Sequence, residues 1–228
     1  MKKLLLTSML ALFAASALPA AAQDAKPGDP KAGEMKAAMC IGCHNIPRYQ
    51  ASFPEVYKVP KIAGQNAKYI VSALTGYRKG DRRMPTMRAI AASLSDQDMA
   101  DLAAFYSSLG KEAGEAAPAA TPAVQPPPEV AKLLAQANCA SCHGANFNSP
   151  IDPSYPKLAG QYADYIYVAL KAYQTDKNPN VGRNNAIMMG MSRPFSHQEL
   201  KLLGSYFESL SGDVKTVPES RFRGANQF

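Results

Sequence analysis

Histidine is scarce in this chain, with three residues in 228, and cysteine nearly as scarce, with four. Long apolar runs are missing too. Past the first two dozen residues no stretch approaches the 18 or so apolar residues of a membrane-spanning helix, so the processed chain should carry no such helix. Nor is there a stripe of basic residues interleaved with aromatics, which removes the usual signature of a single-strand nucleic-acid binder.

The scarce residues are concentrated. Cys40-Ile41-Gly42-Cys43-His44 and Cys139-Ala140-Ser141-Cys142-His143 use every cysteine and two of the three histidines. Each is a C-x-x-C-H pentapeptide, the attachment motif of a c-type haem. Two thiols one helical turn apart add to the two vinyl groups of a porphyrin as thioethers. The following histidine lies under the ring and gives its imidazole nitrogen to the iron. A lone C-x-x-C would leave a redox dithiol or half a zinc site open. Two copies, each ending in histidine, point to two covalently bound haems.

The N-terminus supports export. Met1-Lys2-Lys3 is a basic start, Leu4 to Leu18 is uncharged and apolar, and Ala20-Ala21-Ala22 supplies small residues for cleavage. Residues 1–22 therefore read as a signal peptide, with Gln23 as the mature start and the periplasm as destination. The formal charge of +7 falls to +5 without Lys2 and Lys3. Four ionised haem propionates would take it to about +1, so the basic balance carries no argument for nucleic acid.

The rest of the chain is a repeat. Asp29-Pro30 is an N-cap and first-turn proline for a helix running into Cys40. Asn45 to Pro60 has no clear period. Ile70, Ala73, Leu74 and Tyr77 mark an amphipathic helix, matched by Ile166, Ala169, Leu170 and Tyr173 at an offset of 96 residues. Ser95-Asp96-Gln97-Asp98 and Ser196-His197-Gln198-Glu199 are capping boxes that open the last helix of each unit. Between the units, residues 111–128 are rich in alanine and proline, the composition of a linker that at full extension reaches roughly 50 Å. The organisation expected is all-α: one domain over 23–110, the linker, a second domain over 129–212, and a tail over 213–228 that frays. Each unit is too small for a thick core, so the porphyrin should supply much of its apolar surface.

The histidine count limits the sixth iron ligand. Only His197 remains, inside a capping sequence that faces water, so both irons cannot be bis-histidine. Methionine is the alternative, a soft thioether donor that favours ferrous iron. The candidates are Met84 and Met87 in the first unit and Met188, Met189 and Met191 in the second.

These features resemble the dihaem class I cytochromes c, most closely the cytochrome c4 family. The specific parts are the two C-x-x-C-H motifs, Pro60-Lys61-Ile62-Ala63-Gly64-Gln65 with Pro156-Lys157-Leu158-Ala159-Gly160-Gln161, and the Leu94-to-Asp98 helix start. The resemblance implies two tandem class I cytochrome c domains, each a small helical fold around one covalent haem c. It selects Met87, in Met87-Arg88-Ala89-Ile90-Ala91, and Met191, in Gly190-Met191-Ser192-Arg193-Pro194-Phe195-Ser196, as iron ligands. It gives the carbonyls of Pro60 and Pro156 the role of accepting from the imidazole N–H of His44 and His143. It also implies an electron carrier rather than an enzyme, with a membrane respiratory complex as donor and a terminal oxidase or reductase as acceptor. A subunit dedicated to one periplasmic dehydrogenase, or a dihaem enzyme such as a peroxidase, are the rival readings. Lys61, Lys68, Arg78, Lys79, Arg82 and Arg83 are the candidate docking patch. His44-Asn45-Ile46-Pro47 departs from the family pattern, so the loop after the first motif has no transferable contacts.

Overall fold

A computed structural model describes residues 26–110, 122 and 124–218. The signal peptide, most of the linker and Arg221, Phe222, Arg223 and Phe228 of the tail lie outside the described residues. The first unit contains α1 (Pro30–Lys36), α2 (Ala38–His44), a hairpin of β1 (Gln50–Ala51) and β2 (Tyr57–Lys58), α3 (Ala67–Lys79), α4 (Pro85–Ala92) and α5 (Asp96–Ser108). The second contains α6 (Pro128–Gln136), α7 (Ala140–His143), α8 (Ala163–Gln174), α9 (Ala186–Ser192) and α10 (His197–Ser209). The all-α repeat is therefore present, with one short hairpin in a stretch that showed no period. The helix entering the first motif is divided at Ala37, and α6 starts at Pro128, one residue inside the expected linker.

Local chemistry explains the element ends. The Asp29 carboxylate accepts from Lys31 N in front of Pro30. Ser95 and Asp98 exchange bonds at the start of α5, and Ser196 and Glu199 do the same at α10, so two orphan backbone donors are satisfied at each helix. At Gly80 the chain turns into the left-handed region (φ 85°) and closes α3. In α1, Gly33 lets the backbone press onto α5: a Cβ there would stand 2.1 Å from Asp101 O.

Each unit has its own core. Ile41, Ile70, Leu74, Met99, Leu102 and Tyr106 are buried in the first, and Val130, Leu133, Ile166, Leu200, Leu203 and Phe207 in the second. The first unit adds a polar clamp that the second lacks. Buried Asp101 accepts from Asp29 N at 2.9 Å and Gln97 Nε2 at 2.8 Å, and pairs with Lys36 Nζ at 2.5 Å. The position matching Asp101 in the second unit is Leu202. The Asp29 backbone N–H and then Lys36 hold the Asp101 carboxyl below the usual carboxylate range. A depressed folded-state value stabilises the fold above the unfolded value, about 3.9, and that stability is lost as pH falls below it. Acid should therefore weaken the first unit progressively as pH falls below about 4. Asp101→Ala should reduce this acid sensitivity, leaving the part carried by Asp98, which Lys36 and Ser95 hold down to about 2, and cost about 1–3 kcal/mol at neutral pH, because three donors lose their shared acceptor. Thermal unfolding across that pH range measures both effects.

The units are packed together rather than held apart by an extended linker. Residues 81–83 run antiparallel to 182–184, with Arg83 N donating to Gly182 O at 3.0 Å and Asn184 N to Asp81 O at 2.7 Å. The hairpin reaches across as well: Lys58 N and Nζ both donate to Asp164 Oδ2 (3.0 and 3.1 Å), and Glu55 pairs with Lys171. The segment that follows the first motif thus adds interdomain contacts through Glu55 and Lys58. The first residues of the tail are tied down. Lys215 N donates to Ala63 O at 2.9 Å, Asp213 pairs with Lys157, and Val214 is buried. No helix among the described residues is long and apolar enough to cross a membrane.

Candidate functional site

One cavity of about 590 Å³ runs through both units and reaches the junction between them. Cys40, Cys43 and His44 line it from the first unit, and Cys139, Cys142 and His143 from the second. In both motifs the helix brings the two thiols and the imidazole to the cavity wall. Burial pushes the Cys40 and Cys139 thiols up to about 11. Burial also lowers the two motif histidines, their bonds to backbone carbonyls acting in the opposite direction. His44 Nδ1 lies 2.9 Å from Pro60 O and His143 Nδ1 lies 3.1 Å from Pro156 O. A neutral imidazole that donates from Nδ1 keeps its Nε2 lone pair free for a metal.

The methionines sort by helix register. α4 and α9 begin alike, with Met84 Sδ accepting from Met87 N at 3.3 Å and Asn185 Oδ1 accepting from Met188 N at 3.0 Å. The offset between the units here is 101 residues, shared by Arg82 with Arg183 and by the two capping serines. Met87 therefore corresponds to Met188, Met84 to Asn185, Arg88 to Met189, and Ile90 to Met191. Position 87/188 is the one place in these two helices where both units carry methionine. Met84, Met87, Met188 and Met191 line the cavity, whereas Met189 does not. Met191, one turn beyond Met188 on the same face, is 42% exposed. His197 is exposed, with its ring against Tyr167.

A second constellation was not singled out as part of the site from the sequence. Arg82 and Arg183, partners in the antiparallel bridge, both line the cavity. Arg82 donates to Tyr69 OH at 3.2 Å and stacks on Tyr69 and Tyr77. Arg183 does the same with Tyr165 OH at 3.0 Å, Tyr165 and Tyr173. None of the ion pairs among the described residues includes either guanidinium. Two half-buried cations side by side without a carboxylate are costly, and acidic groups on a ligand in the cavity would relieve them. The donor set of thiols, imidazoles and thioethers, the apolar walls and these cations all fit a porphyrin with propionates. The sequence signal available was the repeated tyrosine pair, Tyr69 with Tyr77 and Tyr165 with Tyr173, each followed by an arginine.

The proposed basic docking patch disperses. Arg82 faces the cavity, Arg83 donates to Asn178 O, Arg78 pairs with Asp96, and Lys61 donates to Gly160 O. Lys68 and Lys79 are left exposed.

A third set of residues ties the units at the histidines. Gln65 and Gln161 are buried and reciprocal. Gln161 Oε1 accepts from Lys61 N at 3.0 Å while its Nε2 donates to Lys61 O at 2.8 Å. Gln65 Oε1 accepts from Lys157 N at 2.9 Å while its Nε2 donates to Lys157 O at 3.1 Å.

Comparison with known proteins places the chain among the c-type cytochromes. The cytochrome c family model matches residues 129–211. Cytochrome c4 of Azotobacter vinelandii is 30% identical over 220 residues, covering 92% of this chain and all of that protein. The thiosulfate dehydrogenase electron acceptor of Stutzerimonas stutzeri is 28% identical over 184 residues, 77% of this chain and 79% of that one. Among solved structures, reduced cytochrome c4 from Pseudomonas stutzeri aligns with a TM-score of 0.58 at 27% identity, covering 81% of this chain and all of that one.

Proposed function

This chain belongs to the cytochrome c4 family of dihaem electron-transfer cytochromes, and from that premise we propose that it is an exported shuttle for single electrons. Its donor is a membrane respiratory complex and its acceptor a terminal oxidase or reductase, with the periplasm as its compartment. The observation that carries the reading is that one cavity is lined, in each unit, by the motif histidine and a register-matched methionine, His44 with Met87 and His143 with Met188, a donor set that would leave neither iron open to substrate. When bound, the haems supply one-electron chemistry by cycling between ferrous and ferric iron.

The chain's own residues do the holding and tuning. Cys40, Cys43, Cys139 and Cys142 keep the porphyrins attached through redox cycling. His44 and His143, oriented by Pro60 O and Pro156 O, would give their Nε2 to the irons. Met87 would supply the thioether ligand in the first unit. In the second unit that role goes to Met188, in place of the Met191 selected by resemblance. The shared register with Met87 supports Met188, and Met191 takes the packing place of Ile90. Arg82 and Arg183 would supply positive charge to haem propionates.

A dedicated acceptor for one dehydrogenase is the second reading, favoured by the likeness to a thiosulfate dehydrogenase electron acceptor. The reduced holoprotein should show the ferric sulfur-to-iron charge-transfer band on reoxidation and refuse carbon monoxide when ferrous. Ready carbon monoxide binding by the unaltered protein would end the carrier reading and restore an open-haem enzyme. Reoxidation by oxidase-containing membranes faster than reduction by a purified thiosulfate dehydrogenase separates the shuttle from the dedicated acceptor; the reverse order favours the latter.

A further inference from the structure

Each motif histidine ends a hydrogen-bonded chain that begins in the other unit. The carbonyl that accepts from His44 Nδ1 and the N–H that donates to Gln161 Oε1 belong to one peptide group, the one joining Pro60 to Lys61. The peptide joining Pro156 to Lys157 likewise takes the His143 bond on its oxygen and gives its N–H to Gln65 Oε1. Gln161 Oε1 also accepts from Tyr162 N at 3.0 Å, at the N-cap of α8, and Gln65 Oε1 from Asn66 N at 3.0 Å, at the N-cap of α3. The amide orientation is forced. A flipped Gln161 would point its NH2 at two N–H donors and its oxygen at a carbonyl.

A peptide group is a resonance system. Donation from its N–H shifts electron density toward its carbonyl oxygen, and hydrogen bonds in series strengthen one another by about 10–30% in condensed phase. An oxygen with more electron density accepts more strongly from the imidazole N–H, which makes that histidine a better donor to its iron. Better donation favours the ferric state. We infer that Gln161 and Gln65 are crossed positioning residues: Gln161 of the second unit sets the reduction potential of the haem in the first, and Gln65 of the first sets that in the second. Tight docking of the units thereby becomes part of the redox tuning, and loosening it raises both potentials. The inference rests on the dihaem reading above, with His44 and His143 as ligands.

The test is Gln161→Met and Gln65→Met in the holoprotein, which keep side-chain volume and remove the acceptor. Each haem is titrated separately through its hyperfine-shifted methyl signals in proton NMR. Gln161→Met should raise the ferrous-to-ferric ratio of the first haem about twofold at fixed potential, about 18 mV at roughly 59 mV per tenfold for one electron, with a clearly smaller change at the second haem. Gln65→Met should do the mirror image. A shift confined to the haem of the altered unit, or equal shifts at both, overturns the crossed assignment and leaves the glutamines as interface packing. If either variant fails to fold, the unaltered protein still answers. Linkage is reciprocal, so Lys61 N–H should exchange with solvent about twofold more slowly when the first haem is ferric, and equal rates overturn the inference. The charge-transfer band and carbon monoxide refusal of the same samples test the methionine ligands separately. Intact ligation with unmoved potentials sinks the relay alone.

Discussion

Ferrous Met188→Ala should bind carbon monoxide at one of its two haems, while Met191→Ala should bind none. Loss of the thioether leaves the second iron five-coordinate, and an open ferrous haem takes exogenous ligands. The same variant should lose the sulfur-to-iron charge-transfer band of one haem, and that haem's potential should fall, because the thioether favours ferrous iron. Met191→Ala removes a partly exposed side chain from the position that Ile90 fills in the first unit, where no iron ligand is available. Its expected effect is a modest packing loss of about 1 kcal/mol, typical of surface-proximal apolar truncation. Carbon monoxide binding by Met191→Ala and not by Met188→Ala would return the assignment to the segment that the family resemblance picked out.

The second large effect concerns the polypeptide without its haems. A protein with Cys40, Cys43, Cys139 and Cys142 all changed to alanine should show no cooperative thermal transition, whereas the holoprotein unfolds cooperatively. The residues that form the two cores also wall the cavity: Ile70, Leu74 and Leu102 in the first unit, and Ile166, Leu200 and Phe207 in the second. Kept open, a cavity of about 590 Å³ would cost about 14 kcal/mol at roughly 24 cal/mol per Å³. That matches the whole stability of a typical domain, about 5–15 kcal/mol, so collapse or disorder wins. Attachment should accordingly precede folding. In the folded arrangement the Cys40 and Cys139 thiols are held near 11 by burial and are poor nucleophiles at neutral pH. Calorimetry or far-ultraviolet melting of the tetra-alanine protein decides it, and a cooperative transition near that of the holoprotein would refute the argument.

Much of the site was legible because its chemistry is local. A C-x-x-C-H pentapeptide carries both thioether positions and an iron ligand within five residues. A capping box states a helix start in four. The amphipathic repeat at Ile70, Leu74, Ile166 and Leu170 needs only helical periodicity. The hairpin at Gln50–Ala51 and Tyr57–Lys58 was not legible, since two-residue strands carry no period and owe their place to contacts with the second unit at Asp164 and Lys171. The basic residues near position 80 looked like one patch in sequence but divide in space. Arg82 turns inward to Tyr69 and Tyr77, and Arg83 spans to Asn178.

By itself, then, the amino-acid sequence determined the number of haems, the two C-x-x-C-H motifs that fit them and the duplicated all-α plan. All of these are set by covalent chemistry or by neighbours within one or two turns. The tertiary structure alone decided the inward turn of Arg82 and Arg183, the docking of residues 213–215, and the crossed bonds of Gln65 and Gln161. Each of those depends on segments about 90 to 150 residues apart in the chain meeting at one interface. The alanine- and proline-rich composition of the linker permits either separation or contact. Contact follows from the peptide groups, ion pairs and apolar surface that the two units present to each other.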